Sequence, residues 1–148
     1  MHPLLRRLAF VAAALASTAP ALAADPTLQP GTYGQYNPGT KKVAQPGNQI
    51  VLVRGKHGQL AFSLNAIRSV DLNQGYVAGT LPATGHTVTW VERGDGTNCK
   101  LTFTATATGL TVVQDVKFGD CGFGYGVYGD GQYVKVSDSV KLGVPPGP

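Results

Sequence analysis

The chain is poor in charge, in cysteine and in long apolar runs, and each shortage excludes something. Charged residues make up 14% of its 148 residues, and after residue 23 the only adjacent basic pair is Lys41-Lys42. A nucleic-acid surface needs a clustered basic patch, so no nucleic-acid partner is expected. The one long apolar run, Leu8 to Ala16, is nine residues, far below the roughly 20 that cross a bilayer as a helix. No membrane span is expected. Two cysteines this far apart in sequence, Cys99 and Cys121, with no histidine beside them, make a poor metal motif. The aspartates are too widely spaced for a calcium loop. No metal or other cofactor is expected.

What is present begins with a segment in three parts. Arg6 and Arg7 supply a positive start, Leu8 to Ala16 an apolar core, and Pro20 with Ala21-Leu22-Ala23 a small-x-small cleavage pattern. This is the layout of a secretory signal peptide, expected over residues 1–23 with cleavage near Ala23, and it implies a periplasmic or secreted protein. Residues 24–148 then carry ten basic residues against eight acidic, a net of +2, so part of the basic character leaves with the signal. In an oxidising compartment two cysteines pair. A Cys99–Cys121 bridge closes a loop of about 23 residues and stabilises by roughly 3 kcal/mol in the chain-entropy picture.

Residues 24–48 are rich in Pro, Gly, Gln and Asn and read as a loose leader with one short strand over 32–36. Residues 49–138 read as the β-domain and 139–148 as a proline-rich tail that cannot join a sheet interior. Strands are expected over 49–54, 59–65, 75–80, 86–92, 99–106, 110–115, 124–128 and 132–136. The clearest is 99–106, where Cys99, Leu101, Phe103 and Ala105 alternate with Lys100, Thr102, Thr104 and Thr106, the period-two pattern of a half-buried strand. Gly129-Asp130-Gly131 reads as a hairpin turn. No helix is expected after the signal. Many short strands with short turns imply an all-β, antiparallel up-and-down meander closing into a small barrel, the alternative being a two-layer β-sandwich.

Few motifs carry chemistry. Leu81-Pro82-Ala83-Thr84-Gly85 matches a cell-wall sorting pattern but sits mid-chain before a strand, and reads as a turn. Arg93-Gly94-Asp95 matches an integrin tripeptide, and Gly-Asp-Gly is equally good turn chemistry. The serines lie in no nucleophile motif. Asp115, Asp120 and Asp130 cluster in sequence, which leaves open a carboxylate pair for acid–base hydrolysis. The most unusual stretch is Cys121-Gly122-Phe123-Gly124-Tyr125-Gly126. Its glycines suit a close backbone approach, and its aromatics suit a binding rim. Candidate binding residues are Phe123, Tyr125, Tyr128 and Tyr133, with Arg93 and Asp95 at the periphery. No catalytic residue is assigned.

Cys99-Lys100-Leu101-Thr102-Phe103, Val112-Val113-Gln114-Asp115, Cys121 to Val127 and Gly131-Gln132-Tyr133 together resemble a pattern of small exported proteobacterial β-proteins of unknown function. The resemblance covers roughly residues 60–136. In size, export and single-disulfide β architecture the chain is also similar to periplasmic lysozyme inhibitors, although the mildly basic charge of residues 24–148 departs from what a basic lysozyme would attract. The expected function is a non-catalytic exported binding module of the bacterial envelope: an inhibitor, immunity-type or ligand-binding protein. Its partner would be a protein or small ligand of the envelope. The alternatives are a structural or surface-assembly protein and a small hydrolase using the aspartate cluster.

Overall fold

A computed structural model describes residues 24–82, 85–94 and 97–141. The expected signal peptide, Ala83-Thr84 of the sorting-like motif, Asp95 and the tail from residue 142 lie outside the described residues. Nine strands follow one another: β1 (Gly31–Asn37), β2 (Lys42–Val43), β3 (Gln49–Arg54), β4 (Leu60–Arg68), β5 (Asn73–Leu81), β6 (Thr87–Arg93), β7 (Asn98–Ala105), β8 (Gly109–Gln114) and β9 (Gly131–Ser137). The only helical element among the described residues is a 3-10 turn over Lys56–Gly58.

All pairings are antiparallel, and the strands lie in the order β5-β4-β3-β1-β9-β8-β7-β6, with β2 attached to β1. Read as a circle, this is the expected up-and-down meander with one ladder missing, between β5 and β6. The sheet is therefore a nearly closed barrel, not a sandwich. Closure removes all edges but two. The end where β1, β4, β6 and β8 finish is called the mouth below, and the opposite end the base.

Period-two patterning decides which side chains fill the interior. Cys99, Leu101, Phe103 and Ala105 of β7 point inward and are buried, as their alternation predicts. Leu60, Phe62, Leu64 and Ala66 do the same from β4, and Ile50 and Leu52 from β3. Phe62 is the centre of an aromatic cluster, edge-on to Phe103 (ring centroids 5.0 Å apart) and to Trp90 (5.1 Å). An eight-stranded barrel is just wide enough for side chains to fill it. On the outer wall, Thr87 meets Thr104 and Thr89 meets Thr102, each hydroxyl pair at 3.1 Å. These are the cross-strand threonine pairs that favour this register.

The seam between β5 and β6 is closed near the base by a side chain instead of a ladder. A Cβ on Gly79 would stand 2.6 Å from Trp90 Cε2 and 2.8 Å from Phe62 Cε1. Only glycine lets the indole lie across that strand.

Two expectations need correction. Residues 24–48 are not a loose leader. β1 lies between β3 and β9, joins the two halves of the barrel, and buries Tyr33. Ahead of it Leu28 joins the core, and the Tyr33 hydroxyl donates to the Gln29 carbonyl at 2.6 Å. The short strand expected over 32–36 is β1, and composition hid only its central place, because it is built on Gly31 and Gly34 in place of aliphatic residues. Second, Gly124–Tyr128 is not a strand. Cys121, Gly122 and Gly126 all have positive φ, at 61°, 67° and 70°, and left-handed residues cannot continue a pleat. Residues 115–130 form one long connection from β8 to β9, folded over the mouth.

Candidate functional site at the barrel mouth

The 115–130 connection is a lid held at four places. The Cys99–Cys121 disulfide ties it to the second residue of β7. Phe123 is 5% exposed and enters the mouth, where it crosses β5. A Cβ on Gly75 would stand 2.7 Å from the Phe123 Cβ and Cγ. Asp130 accepts the Gln114 backbone N–H at 2.7 Å, and Gln114 Oε1 accepts the Gly129 N–H at 2.9 Å. Fourth, Asn48, the residue just before β3, reaches in. Its Nδ2 donates to the Tyr128 carbonyl at 2.8 Å and to the Tyr133 hydroxyl at 3.2 Å, while its Oδ1 accepts the Ile67 N–H at 2.8 Å.

Tyr133 completes this buried network by donating to the Gly129 carbonyl at 2.7 Å. Burial pushes its phenol up from the ordinary tyrosine value, against the lowering effect of the Asn48 hydrogen bond, with the nearby Asp130 charge adding to the rise. Several hydrogen bonds converging on buried groups favour one geometry, although the buried Gln114 Nε2 has no partner among the described residues. Here they fix the lid on the barrel.

This assigns the aromatics of the glycine-rich stretch to two groups. Phe123 and Tyr133 were expected at a binding rim, and both are interior; Tyr133 is 1% exposed. Their role is to plug the mouth and anchor the lid. The physical reason is parity at Tyr133, which shares the inward face of β9, and the left-handed turn at Cys121-Gly122, which turns Phe123 down. Tyr125 and Tyr128 point outward, at 87% and 55% exposure.

Beside them lies the β4–β5 hairpin tip, which the sequence reading left unassigned. Val70 is 91% exposed and Leu72 58%. Leu72 sits at φ 58°, a strained conformation for a bulky residue. The two tips touch through Arg68. Its guanidinium lies 5.6 Å from the Tyr125 ring centroid and pairs with Asp71. Arg68 holds the Asp71 carboxyl down to about 2, mainly through that hydrogen bond. A Cβ on Gly124 would stand 3.5 Å from the Gln74 carbonyl oxygen and 3.9 Å from the Asn73 Cβ at the start of β5. A shallow depression of about 500 Å³ lies between Arg68, Asp120, Tyr125 and Tyr128. Apolar residues inside a hairpin turn were the one sequence signal for Val70 and Leu72.

The peripheral residues do not join this surface directly. Arg93 lies 5.1 Å above the Phe118 ring, at the β6 side of the lid, and Asp95 is outside the described residues. The three aspartates are each committed to local structure. Asp115 pairs with Lys100 at 3.0 Å, which lowers its carboxyl, and it also accepts the Lys117 N–H. Asp120 accepts the Gly122 N–H at 3.0 Å, and Asp130 accepts from Gln114 as described. His57 lies in the β3–β4 turn and His86 just before β6, both at the base, the end away from the lid. Among the described residues no group of three His, Cys, Asp or Glu side chains could hold a metal ion, and no helix is long and apolar enough to cross a membrane.

The disulfide fits an oxidising, extracellular or periplasmic compartment. Comparison with family models, with curated proteins and with solved structures gives no match.

Proposed function

We propose that the chain is a non-catalytic exported binding module of the bacterial envelope, and that it meets its partner through Tyr125, Tyr128, Val70 and Leu72. The observation that carries this reading is the pairing of exposure with rigidity. Four large apolar side chains stand in water at two touching loop tips, on a lid fixed by a disulfide and a buried hydrogen-bond network. Side chains of this kind gain free energy when covered, and tyrosine is enriched at interface centres. A preorganised surface avoids much of the ordering cost of binding.

A protein partner is favoured over a small ligand inside the barrel, because side chains fill the interior and Phe123 stops the mouth. The hydrolase alternative is disfavoured by the carboxylates: Asp115, Asp120 and Asp130 each serve as hydrogen-bond acceptors for nearby backbone. Export rests on the signal-like residues 1–23, with cleavage near Ala23, and on the disulfide. The likeness in size and one-disulfide architecture to periplasmic lysozyme inhibitors, and the resemblance to small exported proteobacterial β-proteins, make inhibition of an envelope enzyme one form the function takes.

A photo-crosslinking residue at position 125, in cells that export the protein, tests the reading against a control at position 104 on the threonine wall. Adducts of defined mass at 125 and none at 104 are expected. Equal labelling at both positions would overturn the reading. A sole product at twice the chain mass would replace it with the surface-assembly alternative.

A further inference from the structure

Along the eight-strand path of the barrel, to which the two-residue β2 is attached through β1, every strand but two has neighbours on both sides. The exceptions are β5 and β6, which end the sheet and face each other. Near the base Trp90 fills the seam over Gly79. Toward the mouth a cleft of about 550 Å³ lies between the two edges, lined by Tyr76, Val77 and Ala78 of β5, Glu92 of β6, and Thr97 and Cys121. On a strand edge, alternate residues turn their N–H and C=O groups away from the ladder. Extended backbone is the chemistry that satisfies such a row.

The cleft also carries a charge. Glu92 is the only glutamate in the chain and the only charged residue among the described residues lining the cleft. It follows Val88 and Trp90 on the inward-facing parity of β6, is exposed, and makes no ion pair with a described residue. The cationic side chain next to it, Arg93, is engaged with Phe118.

We propose that the open half of this seam accepts a short extended segment of a protein partner by strand addition, with a lysine or arginine of that segment reaching Glu92. Three residues of β5 line the cleft, which at about 3.3 Å per residue makes room for three or four residues of the partner. The site lies beyond Cys121 from the Tyr125 surface, so it goes beyond the binding role proposed for the rim and is tested separately.

The test uses the isotope-labelled protein and three blocked peptides followed by NMR: Ac-Val-Lys-Val-Thr-NH2, the same peptide with Glu for Lys, and the Lys peptide with its backbone N-methylated. In the free protein, one amide of each consecutive pair, Val77/Ala78 on β5 and Val91/Glu92 on β6, faces the seam and is expected to exchange at least roughly tenfold faster than its ladder-bonded neighbour and than ladder amides of β1 and β3. The Lys peptide is expected to give saturable shifts at those same amides at millimolar concentration. N-methylation should abolish the shifts, and Glu92→Gln should weaken binding by roughly threefold, the size of an exposed ion pair. Seam amides as protected as the ladders, or no saturable shift, would overturn the proposal. Equal binding of the Lys and Glu peptides would overturn its basic-partner part. Concentration-dependent shifts at these amides without peptide would assign the edge to a second copy of the chain instead.

Discussion

Replacing Phe123 by alanine tests how the barrel mouth is closed, and its neighbour Tyr125 is the internal control. The two aromatics are two residues apart in one lid, with similar side-chain size. Phe123 is 5% exposed and lies on Gly75, whereas Tyr125 is 87% exposed. Truncating a buried phenylalanine costs about 3–5 kcal/mol, because the lost transfer energy adds to that of the cavity left behind. The lid is a connection and not a strand, so it can settle into part of the space, and the lower figure of about 3 kcal/mol is expected. With a urea dependence of about 1.5 kcal/mol/M for a domain of this size, the midpoint falls by about 2 M. Tyr125→Ala is expected within about 0.5 kcal/mol of the parent, as for an exposed substitution. Equilibrium urea unfolding followed by Trp90 fluorescence measures both. Equal midpoints for the two variants, or a larger loss for Tyr125→Ala, would refute the assignment of plug and rim.

Other outcomes follow from the same network. Asn48→Ala strands the Ile67 N–H and the Tyr128 carbonyl; a loss of about 1–3 kcal/mol and faster amide exchange over 126–130 are expected. Tyr133 has a phenol raised by burial, so the folded state holds its proton more tightly than the unfolded chain does. Its contribution is complete below the unfolded value near pH 10 and is lost as pH rises above it. Thermal melts at increasing alkalinity should show this loss, and Tyr133→Phe should reduce it, leaving the share of Tyr33, whose phenol burial also raises, at the cost of two hydrogen bonds. Gly79→Val forces Trp90 off the seam, with about 1–3 kcal/mol of overpacking and a red-shifted tryptophan emission. Reduction of Cys99–Cys121 should cost up to about 3 kcal/mol, and hydrogen exchange should rise first over the lid.

The barrel was legible where alternation was strong. The period-two runs of β4, β6 and β7 placed those strands within two or three residues at each end, and the inward parity of Cys99 followed from its strand. Glycine-rich segments misled in both directions. The short strand expected over 32–36 is β1, but its setting in a glycine-rich leader hid its central place, because its neighbours β3 and β9 supply the packing that its own side chains lack. Gly124-Tyr125-Gly126 looked like a strand yet turns, because the positive φ at Cys121, Gly122 and Gly126 is a property of three-dimensional closure over the mouth. The site was half legible. Aromatic content marked the right segment, but only the fold separates Phe123 and Tyr133 from Tyr125 and Tyr128. Asn48 gave no signal, since its value lies in reaching Tyr128, Tyr133 and Ile67, all distant in sequence. Val70 and Leu72 showed in the sequence only as apolar residues in a turn, and the fold is what brings their hairpin beside Tyr125.

The central claim is that the Tyr125 surface binds while the lid beneath it merely holds it in place. The most direct measurement is affinity capture from envelope extract with three baits: the parent protein, the double variant Leu72→Ser/Tyr125→Ala, and a wall variant Thr104→Ala. All three baits should unfold at similar urea concentrations. The parent and the wall variant should retain the same partner in stoichiometric amount, and the double variant should lose it. Retention by the double variant at the parent's level, or no partner retained by any bait, would contradict the account.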